Sequence, residues 1–349
     1  MSDIKAINPN NQYILDEFVK YQSFIYSNYS QSNKSSKENY YKLAVIKHVI
    51  DIIAKHKKVI LNGSQLASIK GIGPKTIARI NEIIDTGKLS EIQNKESLIQ
   101  AISELSKIYG IGPTHASYFY ETYNIKTIKD LLKKAEQGVI TLTKQMLIGI
   151  KYKNTFIDKI PRVLIARLDN YVQDLLYSID KNFISIICGS YRRGKAFSSD
   201  VDILITNKKL INKNDCGLYL KIVIQALDNF IVDKLTESFN THFQGFASFK
   251  NIPNMPNSYD HSLFNINKNV IRLDIIVVPL DNFYPALLHL TGSGSFNQKL
   301  RLHANSLNMK LNQYGLFKLD DHKETIIPIN SELDIFNALL LKYIPPEQR

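Results

Sequence analysis

The densest group of chemistry-bearing residues lies between Cys188 and Ile205. Gly189-Ser190-Tyr191-Arg192-Arg193-Gly194 is followed by Ser198-Ser199-Asp200-Val201-Asp202, so a glycine-serine turn, two arginines and two carboxylates fall within fourteen residues. A Gly-Ser turn at the end of a β run can cradle a triphosphate through backbone N–H and hydroxyl donors, and Arg193 adds a planar cationic fork. Asp200 and Asp202 stand two apart at the start of the next apolar run, which puts both carboxylates on one face of a strand. Paired hard oxygen ligands suit Mg²⁺. A polar loop with two strand-end aspartates is the alternative reading. Bridging carboxylates can fix two metal ions for in-line displacement, so a third acid is expected. Asp274, inside the apolar run Ile271 to Val278, is the best candidate, because an unpaired acid there would be costly. Its alternative is an internal ion pair with Arg272, disfavoured on the ground that adjacent strand residues face opposite ways.

A second signal is a repeat. Ile69-Lys70-Gly71-Ile72-Gly73-Pro74 returns 39 residues later as Ile108-Tyr109-Gly110-Ile111-Gly112-Pro113, each copy leading into a helix-compatible segment. A glycine turn before a helix lets backbone N–H groups approach a phosphate without a Cβ in the way, and the helix dipole assists. Pro74 and Pro113 suit the first helical position, where no N–H is needed. Such a hairpin grips phosphates and reads no bases. A plain interhelical turn is the alternative for either copy, and Lys70, Lys75, Arg79 and Lys88 are either further phosphate contacts or solvated charges.

These groups need elements to hold them. From Asn39 to about Gly112 the pattern predicts short helices, with Leu43, Val45, Ile46, Val49, Ile50 and Ile53 as a stripe. After a boundary near residue 160 the chain turns β-rich at Phe183–Ile187, Val201–Thr206 and Val270–Pro279. A helix over Leu218–Phe230 makes this part a mixed α/β layer. Asn251 to Asn269 reads as an irregular excursion, Ser30 to Glu38 as a mobile loop, and Ser331 to Tyr343 as a helix with Leu333, Ile335, Phe336, Leu339 and Leu340 on one side. The fold class expected is α+β and multi-domain. At roughly 150 residues per domain, 349 residues make about two to three domains. The net charge of +12 favours a polyanionic partner. Cys188 and Cys216 are too few for a disulfide framework or a four-cysteine zinc site and suit a reducing compartment. No apolar run approaches the roughly 18 residues of a membrane span, and the start lacks a secretory leader, so the reading is intracellular, nuclear or cytoplasmic, with no membrane partner.

Taken together, the two hairpins, the Gly-Ser and Asp-x-Asp signature, Arg272-x-Asp274 and Leu290-Thr291-Gly292-Ser293-Gly294-Ser295-Phe296-Asn297 resemble the family X DNA polymerases, nearest the DNA polymerase beta branch. The resemblance runs from about Gln12 to the C-terminus. It implies a helical, lyase-like domain at 10–93 with the first helix-hairpin-helix, holding the downstream 5′-phosphate side of a gap, with no N-terminal interaction domain ahead of it. A duplex-binding helical subdomain at 94–160 would follow, then a nucleotidyltransferase-type palm with a mixed sheet at 161–278 and a small α/β nascent-pair subdomain at 279–349. Asp200, Asp202 and Asp274 match the metal-binding triad for two Mg²⁺, or Mn²⁺, with Asp274 assisting deprotonation of the primer 3′-hydroxyl. Ser190, Arg193, Ser198, Ser199, Lys159, His289, Gly292 and Asn297 fall at nucleotide-binding positions. Gly71, Gly73, Lys75, Arg79, Gly110, Gly112, Arg272 and Arg301 fall at DNA-binding ones, Arg301 on the template strand, and each hairpin would hold a monovalent cation. The implied partners are dNTPs, gapped or nicked duplex with a 5′-phosphate, and a repair endonuclease and ligase, the enzyme acting as a monomer in base excision repair.

The departures are specific. Arg79 stands where lyase-competent members carry a Schiff-base lysine, and a guanidinium that stays protonated is no amine nucleophile, which leaves Lys75 as the lyase candidate. His289 replaces an aromatic residue beside the sugar, with imperfect ribonucleotide exclusion as one consequence and a structural histidine as the other reading. Gly294 and Gln298 replace an acidic residue and a lysine. A template-independent terminal transferase, a catalytically silent DNA-end scaffold, and nucleotidyltransferases that share only the palm signature are the competing readings.

Overall fold

The computed structural model describes residues 4–31, 37–236, 240–252, 268–320 and 323–349. The chain divides into two units, Met1–Lys153 and Asn154–Arg349.

The first unit is helical. Helices α1 (Gln12–Gln31), α2 (Lys37–Lys55) and α3 (Pro74–Thr86) share a core in which Leu15, Phe18, Val49, Ile53, Ile80 and Ile83 are buried. The α2 stripe forms as its spacing predicts at Ile46, Val49, Ile50 and Ile53, while Val45 lies outside it, 44% exposed. Ser30 and Gln31 end α1 and Lys37 and Glu38 open α2, so helix takes both edges of the loop expected over Ser30 to Glu38, while its centre, 32–36, lies outside the described residues. Helices α4 (Glu96–Leu105), α5 (Pro113–Tyr123), α6 (Ile128–Glu136) and α7 (Lys144–Tyr152) enclose a second core around Ile102, Leu105, Phe119 and Leu131.

The second unit opens with β1 (Ile160–Pro161) and α8 (Arg162–Ile179), a helix that sequence reading missed by assigning the stretch after Pro161 to the β-rich part. Its signal was present, since Leu164, Ile165, Leu168, Val172 and Leu176 are the buried positions and follow a 3.6 period. Next come β2 (Phe183–Ile187), the one-turn α9 (Gly189–Arg192), β3 (Phe197–Ser198), β4 (Val201–Asn207), α10 (Cys216–Ala226), β5 (Ile231–Lys234), β6 (His242–Ser248) and β7 (Val270–Val277). Five of these strands form a mixed sheet in the order β2-β4-β7-β6-β5, in which only the β4–β7 pair is parallel. The excursion expected over Asn251–Asn269 falls largely outside the described residues. Helices α11 (Phe283–Thr291) and α12 (Gly294–Ser306), the antiparallel sheet of β8 (Met309–Asn312), β9 (Gly315–Asp320) and β10 (Lys323–Ile327), and α13 (Glu332–Ala338) complete the unit.

The last helix is shorter than the Ser331–Tyr343 span expected. Leu340 takes a left-handed φ of 56° and is 81% exposed, and Leu333 is also exposed, so only Ile335, Phe336 and Leu339 of the expected stripe face the core. A left-handed residue closes a helix by turning the chain out of it, and the prolines that follow cannot resume it.

Candidate active site

Strand alternation sorts the central sheet into two faces. Val201, Ile203 and Ile205 on β4 and Leu273, Ile275 and Val277 on β7 enter the large core with α8 and α10. Asp202 and Leu204, and Arg272, Asp274 and Ile276, therefore share the opposite face. On that face Leu204 and Ile276 pack under α11, and the residues before them are left for chemistry. Parallel pairing sets Asp202 directly against Asp274, and Gln244 of β6 pairs with Asp274 from the other side. Gly189 brings the turn so close that a Cβ there would meet Asp202 Oδ2 at 3.0 Å.

Arg272 is engaged by this cluster. Its Nη2 donates to Asp200 Oδ2 and lies 3.5 Å from Asp274 Oδ2. The ion pair set aside at the sequence level therefore exists: residues 272 and 274 are two apart and share a face, so alternation permits the pair that it was taken to forbid. Among the described residues, no three His, Cys, Asp or Glu side chains are grouped to hold a metal as they stand, with Asp200 turned onto Arg272. The donor set nevertheless fits a cation, since Asp274 Oδ1 is buried without a hydrogen-bond partner. Burial, then the neighbouring Asp200 and Asp274, push the Asp202 carboxyl up to about 7. Asp274 is also raised, chiefly by burial, against the opposing pull of Arg272 and His242. A divalent cation would relieve both the repulsion and the lost hydration.

This arrangement has a stability consequence. With the folded pKa of Asp202 near 7 and an unfolded value of about 3.9, the native state binds the proton more tightly. Its contribution therefore falls as pH rises through that window. We expect Mg²⁺ or Mn²⁺ to raise the Tm of the DNA-free protein more at pH 8 than at pH 5, and Asp202→Asn to flatten this difference. Equal metal-induced shifts at both pH values would contradict it.

The predicted triphosphate groups sit beside the acids. Ser190 Oγ donates to Ser198 Oγ at 2.7 Å, Ser198 is buried on β3 opposite Ile160, and Ser199 is exposed. Arg193 Nη1 donates to the Thr291 carbonyl and would meet a Cβ on Gly292 at 3.2 Å, so the positive φ of 67° and the close approach both call for glycine there. Lys159 is exposed, next to β1. Asn297 Nδ2 donates to the His289 carbonyl at 2.7 Å, and Arg301 Nη2 donates to His289 Nδ1 at 3.0 Å. Sequence reasoning missed Glu332. This buried acid takes both arms of Arg192, at 3.1 and 2.7 Å, and Arg349 Nη1 at 2.6 Å, while Arg192 also donates to Thr291 Oγ1 at 2.7 Å. Burial would raise the Glu332 carboxyl, but hydrogen bonds from Arg192 and Arg349 prevail and hold it below the usual carboxylate range. The signal available was weak: Glu332 is one of two acids, with Asp334, in the first turn of this helix.

The hairpins lie in the first unit. Gly71 and Gly110 take φ of 97° and 88°, and Gly73 and Gly112 cap α3 and α5 with proline at the first helical position. A Cβ on Gly73 or Gly112 would meet nothing within 4 Å, so no neighbouring atom crowds these two caps on that side. Beside the first hairpin is a cavity of about 920 Å³, with Tyr21, Phe24, Lys42, Lys75, Arg79 and Glu91 among its walls. Arg79 is tied down: its Nε and Nη2 donate to Glu91 at 2.6 and 3.1 Å, and its guanidinium lies 4.8 Å from the Tyr21 ring centroid. Tyr21 also donates to Glu91, at 2.8 Å; burial first and then Glu91 push its hydroxyl up to about 12. Lys75 is exposed at the cavity. No helix among the described residues is long and apolar enough to cross a membrane.

Family models match nearly the whole chain in series. A helix-hairpin-helix domain matches residues 10–89, the fingers domain of DNA polymerase lambda 103–156, the DNA polymerase beta palm 159–280 and the DNA polymerase beta thumb 286–349. The chain is 26% identical over 310 residues to DNA polymerase lambda of Rattus norvegicus, covering 86% of this chain and 51% of that protein. It is 28% identical over 317 residues to DNA polymerase lambda of Arabidopsis thaliana, covering 86% and 56%. It is 25% identical over 307 residues to the DNA nucleotidylexotransferase of Xenopus laevis, covering 82% and 59%. The chain thus spans about half the length of the curated relatives it matches.

Proposed function

This chain belongs to the family X DNA polymerases, and on that premise we propose that it is a template-directed polymerase filling short gaps in DNA repair, in the manner of base excision repair. The carrying observation is the in-register pairing of Asp202 with Asp274, with Asp200 beside them on a face closed by apolar packing on one side. Asp200, Asp202 and Asp274 would hold two divalent cations, Mg²⁺ or Mn²⁺, which supply charge neutralisation at the α-phosphate and at the attacking oxygen. Asp274 assists removal of the primer 3′-hydroxyl proton. Ser190, Ser198, Ser199, Arg193 and Lys159 orient the triphosphate, Asn297 and Gly292 line the incoming nucleotide, and Arg301 meets the template strand. Positioning and charge neutralisation carry the transfer, without a covalent enzyme intermediate.

Residues 10–93 and 94–160 take the downstream 5′-phosphate side and the duplex, through the N–H groups of Gly71, Gly73, Gly110 and Gly112, each hairpin with a monovalent cation. Gapped or nicked duplex and dNTPs are the substrates, a repair endonuclease and a ligase the neighbours in sequence, and the working form a monomer. The test is single-nucleotide addition on a one-nucleotide-gapped duplex with a 5′-phosphate. Template-matched, metal-dependent addition supports the reading. The likeness to a nucleotidylexotransferase supports one alternative, template-independent addition, and extension of single strands without a template would favour it instead.

Deoxyribose-phosphate lyase activity is expected to be weak or absent. The two hydrogen bonds to Glu91 and the Tyr21 ring make Arg79 a fixed wall of the cavity. Borohydride trapping on a 5′-deoxyribose-phosphate end should give no adduct above background. Arg79→Lys alone should restore little, because Glu91 stabilises the protonated amine, whereas Arg79→Lys with Glu91→Gln should restore more. A robust wild-type adduct that survives Arg79→Ala would refute the expectation, and its loss in Lys75→Ala would assign the chemistry to Lys75.

A further inference from the structure

Arg301 and His289 lie on different helices and form one hydrogen-bonded unit. A guanidinium has donors only, so His289 Nδ1 is the acceptor and the imidazole is neutral with its proton on Nε2. The His289 carbonyl is meanwhile held by Asn297, one turn before Arg301 on α12. Two bonds thus brace the end of α11 against one face of α12. On the stripe formed by Gly294, Asn297, Gln298 and Arg301, Arg301 is the only charged residue. An unanchored arginine samples many rotamers, and a pinned one presents its remaining N–H groups in a set direction.

We propose that His289 is the positioning residue for Arg301, its acceptor nitrogen aiming the guanidinium at the template strand so that selection of the correct nucleotide depends on an acceptor at position 289. This rests on the reading of the chain as a template-directed polymerase. Burial and the Arg301 charge both keep the imidazole neutral, and both lower its proton affinity below the ordinary histidine value. The charged and titratable groups around it are Arg301 on α12; Lys213, His242 and Tyr314 around the cavity of about 240 Å³ that His289 lines; and Arg192, Arg193 and Glu332 at the Thr291 end of α11.

The experiment is single-turnover insertion of matched and mismatched dNTPs on a one-nucleotide-gapped duplex, using the full chain. Wild type is compared with His289→Leu, His289→Asn, Arg301→Ala and the double variant His289→Leu/Arg301→Ala. His289→Leu should lower matched insertion by about tenfold, the scale of one charge-assisted hydrogen bond, with mismatched insertion little changed. His289→Asn, whose side-chain oxygen stands near the Nδ1 position, should recover most of the loss, and the double variant should be no worse than Arg301→Ala. The ratio of wild type to His289→Asn should fall only at acid pH, below the ordinary histidine range, because a protonated imidazole has no lone pair to offer. Independent, multiplying effects of the two single variants, or equal losses for matched and mismatched nucleotides, would overturn the positioning role while leaving the polymerase reading intact. Absence of templated insertion by the wild type would instead overturn that reading, and this proposal with it.

Discussion

Asp274→Ala is expected to lower single-turnover incorporation by at least about 1,000-fold, or about 4 kcal/mol of transition-state stabilisation, while binding of gapped duplex survives. The reasoning combines burial with register. Asp274 lies on a strand buried on its other face and paired directly with Asp202, and its Oδ1 has no protein partner among the described residues. An acid kept in that state costs stability unless something outside the protein engages it. Removing it should therefore leave the fold intact and raise the Tm of the metal-free protein, because one buried charge disappears from a repelling group. On the proposed reading, DNA is held through backbone N–H groups at the hairpins and through basic side chains elsewhere, so the salt-dependent affinity should change little. Retention of more than about a tenth of wild-type incorporation, or a falling metal-free Tm, would sink the role given to Asp274.

Glu332→Ala is expected to destabilise the Asn154–Arg349 unit by about 3–5 kcal/mol, lowering its unfolding midpoint by roughly 10 °C. The substitution strips the shared acid from two arginines, and the Arg349 side chain is fully buried, 5.5 Å from the ring centroids of Phe296, Phe336 and Tyr343. Two guanidinium groups would then be held together without their counter-charge. Because Arg192 also holds Thr291, the damage should reach Gly292 and the Arg193 contact, and nucleotide affinity should fall with stability. Glu332→Gln keeps some hydrogen bonds and should lie between the two. Replacing Arg192, Glu332 and Arg349 together should cost less than Glu332→Ala alone, since no charge is then left unpaired. A Glu332→Ala protein with an unchanged melting curve would show that the network contributes nothing.

Much of the site was legible because its signals are local. Gly-x-Gly-Pro specifies a turn and a helix start whatever surrounds it, and the two-residue spacing of Asp200 and Asp202 marked the strand start, although β4 begins at Val201 and carries only Asp202 of the two. The α2 stripe and the strands at 183, 201 and 270 were likewise legible as periods. Period also misled: the stripe of α8 was there but was read through the β-rich stretches that follow it, and Leu340 was placed on a helix that a left-handed residue had already closed. What only the tertiary structure decided was partnership. Arg272 meets Asp200 across 72 residues, Arg192 meets Glu332 across 140, and Arg301 takes its acceptor from a different helix. Spacing and residue type determine which way a side chain points within its own element. Which charge it meets depends on how distant elements pack, and burying one apolar face of a sheet or helix settles that packing without any local mark of it in the chain.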